Sequence, residues 1–217
     1  MKLRVLLVDD HELMRQGLRS ILEREEDVEV VGEAASGREA VKLAGKLEPH
    51  VVVMDVAMQD MNGIEATRQV RSACPGVRVI ALSSHSDSRY VAAMLDAGAS
   101  GYVLKANAYD DLRRAVDAAR RGKTYLCADV TESVVAASLH GVGIDAVAVS
   151  TPLTAREREV LQLLAEGASS PEIGRRLFVG TSTVETHRRN VMRKLGIHSV
   201  ADLTKYAIRE GLTSLES

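Results

Sequence analysis

Three aspartates stand directly after short apolar runs. Asp9 and Asp10 follow LRVLLV, and Asp55 follows VVVM. Ser83 and Lys105 close two further runs, residues 77–82 and 102–104. If these runs are neighbouring strands, three carboxylates, a hydroxyl and an ammonium meet beyond the strands' carboxyl ends, where α/β sheets collect ligands. Mutually repelling carboxylates need a counter-charge, and hard oxygen donors suit Mg2+. An acidic cluster with a metal, a lysine and a hydroxyl is equipped for phosphoryl transfer, in which charge spread over oxygens must be neutralised. The central carboxylate is then the nucleophile and forms an acyl phosphate. Each residue alone has a plainer explanation. Paired Asp often caps a helix, Lys105 alone reads as a surface lysine and Ser83 alone as a turn residue. The joint arrangement at successive strand ends is much harder to explain that way.

A second set lies near the other end of the chain. Across residues 181–195, Arg188, Arg189, Arg193 and Lys194 oppose only Glu185, a local net charge of +3, with His187 among them. On a helix, Val184, Val191 and Leu195 face inward, while Glu185, Arg188, Arg189 and Met192 fall on neighbouring faces. A short helix, a turn at Val179-Gly180 and this longer basic helix read as a helix-turn-helix whose second helix enters the major groove. The competing explanation is a solvated charged helix.

The elements that must position these groups are legible. Apolar runs at 3–8, 28–31, 51–54, 77–82 and 102–104 are mostly apolar at consecutive positions, as strands buried on both faces are. Helical patterns alternate with them. Leu13, Leu18, Ile21 and Leu22 mark one face of the first. Ser36 with Glu39 opens the second as a capping box. Ile64 and Val70 mark the third, and Val91, Met94 and Leu95 the fourth. Asn107 with Asp110 is placed to cap the fifth, which carries Leu112, Val116 and Ala119. Five strands alternating with five helices predict a doubly wound α/β domain over residues 1–121. Residues 122–152, with a short helix near 131–139, read as a linker with some structure of its own. Residues 153–217 read as four short helices. Thr154 with Glu157 caps the first and Gly167 ends it, Pro171 opens the second, Gly196 stops the third, and Gly211 stops the last, from Val200.

Composition limits the function. The 217 residues are 46% hydrophobic, with no Trp and one Phe, so the cores are aliphatic. The net charge of −2 names no partner. No apolar run is long enough to span a membrane, and MKLRVLLVDDHE turns acidic too soon for a signal sequence. Cys74 and Cys127 lack metal-ligand spacing and read as indifferent or buried thiols. With no disulfide framework, the expected location is the cytoplasm.

VLLVDDHE, VVVMDVAMQDMNG, VIALSSH and AGASGYVLK resemble, in order, the signatures of response-regulator receiver domains across residues 1–121. The stretch from LTAREREVL to YAIREGL resembles the LuxR-type helix-turn-helix, and the pair resembles the NarL/FixJ class. The resemblance implies a five-stranded parallel sheet in the flavodoxin-like order 2-1-3-4-5. It implies Asp55 as phosphoacceptor, and Asp9, Asp10, Asp55 itself and the Ala57 carbonyl as Mg2+ ligands. By the same resemblance Lys105 is expected to pair with the phosphoryl group, Ser83 to turn towards it, and Tyr102 to be an aromatic switch. Thr183, Glu185, Thr186, Arg188 and Arg189 are implied on the DNA side, with Lys194 near the DNA backbone. Leu203, Tyr206 and Ala207 are implied in a dimer surface, and the same residues read equally as core. The implied partners are a sensor histidine kinase, a double-stranded DNA operator, a second copy of the chain after phosphorylation, and RNA polymerase as a further candidate. One departure is Met58-Gln59, where the family usually has Met-Pro; it removes no ligand.

Two other functions compete. A Mg2+-dependent phosphohydrolase with an Asp nucleophile typically carries a second Asp two residues on, where this chain has Ala57. That argues against substrate turnover, so no enzyme activity is expected. A regulator whose receiver no longer takes phosphate is opposed by the complete set of Asp9, Asp10, Asp55, Ser83 and Lys105.

Overall fold

The computed structural model describes residues 2–139 and 153–213. The chain divides into two compact units, Met1–His140 and Gly141–Ser217. Part of the segment read as linker, residues 140–152, lies outside the described residues.

In the first unit, strands β1 (Leu3–Val8), β2 (Val28–Ala34), β3 (Val51–Asp55), β4 (Arg78–Ser83) and β5 (Gly101–Leu104) alternate with helices. These are α1 (Glu12–Leu22), α2 (Gly37–Leu47), α3 (Gly63–Ala73), α4 (Ser88–Asp96) and α5 (Ala108–Arg120). All strand pairs are parallel. The predicted count of five strands is corrected to six. A short β6 (Tyr125–Leu126) joins the edge beside β5, giving the order β2-β1-β3-β4-β5-β6. Helix α6 (Ala128–Leu139) follows it. Sequence reasoning missed β6 because two residues carry no periodicity.

Alternation of side chains across the pleat explains the two cores. Val5 and Leu7 pack with Leu18, Leu22, Leu112 and Val116 on one face. Leu6 and Val8 pack with Ala40, Ala44, Ala66 and Val70 on the other. A third cluster joins Tyr102, Val91, Met94 and Leu104 to Cys127 and Val130. Residues 127 and 130 thus complete the core of the first unit. Two local expectations are corrected. Leu13 is 82% exposed and belongs to no core face. Asn107 makes no cap; its side chain donates to Asp129 Oδ2 at 3.1 Å instead. Ser36 does cap α2, accepting from the Glu39 amide.

The second unit holds α7 (Ala155–Ala165), α8 (Ser170–Leu177), α9 (Thr181–Leu195) and α10 (Val200–Arg209). The capping box of Thr154 and Glu157 forms as expected. A second box, Ser169 with Glu172, opens α8 beside Pro171. Gly174 sits where α8 meets the turn to α9. A β-carbon there would lie 2.8 Å from Val179 O, so only Gly permits the close approach.

Candidate functional site

The order of the sheet reverses between β1 and β3, and the acidic residues lie at that point. Val8 is in register with Met54, so Asp9, just past β1, and Asp55, the last residue of β3, stand side by side. Both are buried, at 0% and 1% exposure. Lys105, just after β5, bridges them: Nζ lies 2.8 Å from Asp55 Oδ2 and 2.8 Å from Asp9 Oδ2. The other Asp55 oxygen accepts from the Ala57 amide at 3.3 Å. The approach of α3 shapes the floor, because a β-carbon on Gly63 would lie 2.0 Å from Asp55 O.

Asp10 is partly exposed and lies 2.8 Å from His11 Nδ1. His11 also donates its amide to Asp9 Oδ1 at 2.9 Å. Ligand atoms of Asp9, Asp10, His11 and Asp55 all fall within 4.8 Å of one another. Carboxylate oxygens this close, with one ammonium among three carboxylates, form a donor set suited to a hard divalent cation. His11 was missed in the sequence. Its only signal there was adjacency to the Asp pair. Arg15 was missed as well; it donates to Asp9 O at 2.7 Å and pairs with Glu33, fixing the strand end.

Burial, and then the Asp9 carboxylate, push the Asp55 carboxyl up to about 6, with Lys105 and the Ala57 amide offsetting only part. Burial alone would depress Lys105, but Asp55 and Asp9 outweigh it and hold its pKa above the usual value. The site is therefore short of positive charge.

Ser83 is buried, and its Oγ accepts from the His85 amide at 3.0 Å. The Tyr102 ring is also buried, and its hydroxyl donates to His85 O at 2.8 Å. Burial raises the Tyr102 pKa well above normal, so the hydroxyl stays protonated. Ser83 and Tyr102 thus meet at the segment following β4, which adjoins Asp55 because Leu82 is its register partner.

In the second unit α9 buries Val184 and Val191 and exposes Thr183, Thr186 and Arg189. Arg188 and Glu185 are half-buried, 4.0 Å apart, and Glu185 also accepts from Ser170 Oγ. Arg189 reaches back to Thr186 Oγ1 at 3.4 Å.

A family profile described as "Response regulator receiver domain" matches residues 5–117. A second, "Bacterial regulatory proteins, luxR family", matches residues 151–207. The chain belongs to the response regulators, in the NarL/FixJ class. The transcriptional regulatory protein LiaR of Bacillus subtilis is 40% identical over 212 residues, covering 98% of this chain and 100% of LiaR. The response regulator VraR of Staphylococcus aureus is 37% identical, covering 98% and 99%. Among solved structures, RcsB of Salmonella enterica serovar Typhimurium, bound to a promoter in the presence of phosphomimetic BeF3-, gives a TM-score of 0.61 at 28% identity. It covers 96% of this chain and 99% of RcsB.

This response regulator brings Asp9, Asp10, Asp55 and Lys105 together at one point, with Ala57 bound to Asp55 through its amide. One sequence-based assignment needs correction. Lys194 does not face outward: its Nζ lies 2.7 Å from the buried Glu157 carboxylate and its side chain is mostly covered. Of the residues with two readings in α10, Leu203 and Ala207 are fully buried with Leu161, Val191 and Leu212 and so take the core reading, while Tyr206 packs against them and stays partly exposed. The apolar stripe of α10 had two explanations, and the domain needs it for its own interior. Both thiols are free, with Cys127 buried. No helix of the described residues is long and apolar enough to cross a membrane.

Proposed function

We propose that this response regulator accepts a phosphoryl group on Asp55 from a sensor histidine kinase and thereby controls sequence-specific DNA binding by α9. One observation carries the reading: Lys105 bridges two buried carboxylates at the point where the sheet order reverses. In the transfer, Asp55 Oδ attacks phosphorus as the donor's P–N bond breaks, giving an acyl phosphate and a free imidazole. Lys105 holds the equatorial oxygens, and Ser83 supplies a hydroxyl once it turns from His85. Asp9, Asp10, Asp55 and the Ala57 carbonyl, with His11 at the rim, would hold Mg2+, which would supply positive charge against the transferring group. The group stays on the protein, since Ala57 offers no acid or base to expel it. The chain is thus a signalling acceptor and not an enzyme that turns over a substrate.

The exposed Arg189 is our choice for a base contact, with Arg188 and Thr183 on phosphates. RcsB is described as forming dimers bound to DNA, and we extend that assembly to this chain after phosphorylation. The test is labelling by acetyl phosphate with Mg2+. Wild type takes one label and Asp55→Asn takes none; undiminished labelling of the variant rejects the assignment.

A further inference from the structure

Phe178 is the most exposed large apolar residue among those described, at 93%. It also stands in the left-handed region, at φ 54 and ψ 43, where it ends α8. Both facts run against the fold. A side chain strains the backbone in that region, and Gly or Asn takes such helix-ending positions more easily. A hydrated phenyl ring forgoes the stabilisation that burial would supply. The turn is shaped by other residues. Leu177 and Val179 fill the core on either side. Arg156 donates to Leu177 O at 2.5 Å, and Gly174 admits the close approach of Val179 O. The ring is left as a surface group with no role in the domain.

Its surroundings point to its partner. Arg175 and Arg176 are exposed just before it, and Gly180, Thr181, Ser182 and Thr183 are exposed just after, leading into α9. A hydrophobic protein surface would meet cations and hydroxyls all round the ring. A DNA backbone offers phosphates to those groups and deoxyribose carbons to the ring. We propose that Phe178 packs on the sugar face of the DNA backbone at the edge of the groove entered by α9. It anchors the domain without reading bases, and the inference rests on the DNA-binding role of that helix.

The experiment uses the full chain, with a duplex selected by the wild type and a random duplex, each titrated at several salt concentrations. Phe178→Asn is expected to lose affinity by roughly five- to tenfold on both, the scale of half-burying a phenyl ring. The slope of log affinity against log salt stays unchanged, because no phosphate contact is lost. The melting midpoint does not fall, because Asn suits the left-handed turn. Phe178→Tyr, which keeps the ring, retains wild-type affinity. Equal binding by wild type and Phe178→Asn overturns the proposal. So does a loss confined to the selected duplex, which would make the ring a base reader. Lost transcription with unchanged affinity also overturns it and assigns the ring to a protein partner. Failure of the wild type to bind either duplex refutes instead the DNA-binding reading beneath it.

Discussion

Asp55→Asn is expected to stabilise the first unit when no divalent cation is present. The Asp55 carboxyl is raised from 3.8 to about 6, by burial first and then by Asp9. The folded state therefore binds its proton more tightly than the unfolded chain does. The cost of its charge is absent below pH 3.8, grows between 3.8 and about 6, and is complete above that. A rise of this size corresponds to ~3 kcal/mol at neutral pH. Asparagine removes the charge but weakens the contact with Lys105, which keeps Asp9. The net gain should be about 1–3 kcal/mol, or several degrees in melting midpoint for a unit of this size. Urea and thermal unfolding in chelator at pH 7 and pH 4.5 measure it. The variant should be more stable at pH 7, and the gap should shrink at pH 4.5. Millimolar Mg2+ should also narrow it, because binding to the native state stabilises the wild type. A variant no more stable than wild type at pH 7, or a gap that persists at pH 4.5, would refute this account of the site's electrostatics.

Three further outcomes are expected. Lys194→Met should destabilise the second unit by about 1–3 kcal/mol, because Glu157 is left buried without its cation. Burial opposes the Glu157 charge, but Lys194 and Thr154 outweigh it and hold the carboxyl below its usual 4.5. That contribution is present above pH 4.5 and fades as pH falls through the depressed value, so the difference from wild type should fade too. An unchanged midpoint with a DNA salt slope reduced by about one would return Lys194 to the phosphate backbone. Arg189→Ala should relax base preference by roughly 1–3 kcal/mol in selection experiments, and unaltered specificity would remove it from that role. A fragment of residues 1–121 should be less stable to urea than one of residues 1–139 by about 2–4 kcal/mol, since it uncovers Tyr102, Met94 and Leu104; equal midpoints would show that β6 and α6 add nothing to the core.

The placement of the candidate site was legible because its residues sit where strand periodicity ends. The runs before Asp9, Asp55, Ser83 and Lys105 are apolar at consecutive positions, so strand ends and site residues were found together. Tertiary geometry was not legible. Whether Leu203 and Ala207 face a partner or their own core depends on where α7 and α9 lie, which one amphipathic stripe cannot say. Lys194 looked like its basic neighbours because its partner, Glu157, is 37 residues away and was already accounted for as a helix cap. Asn107 had the residue type and spacing of a cap. It lost that role because the chain enters α5 through a short 3-10 turn and the side chain is drawn to Asp129.

The connection from site to output runs through Tyr102 on the proposed reading. A phosphoryl group on Asp55 adds charge to a site already short of cations, so relief of the Asp55 charge cannot drive a switch. The bias must come from groups recruited to the phosphoryl oxygens, and Ser83 is the one held elsewhere, by the His85 amide. Releasing Ser83 moves the segment whose carbonyl also receives the Tyr102 hydroxyl. Tyr102 is joined to the residues just after β6, since Cys127 N donates to Tyr102 O at 3.2 Å and the ring packs in one cluster with Cys127 and Val130. A shift from 1:99 to 99:1 needs about 5.5 kcal/mol of differential interaction. A hydroxyl, a buried ring and the side chains of Cys127 and Val130 are together of that order. On this reading Cys127 and Val130, in the segment first read as a linker, lie next in line after Ser83, His85 and Tyr102 for a change at Asp55.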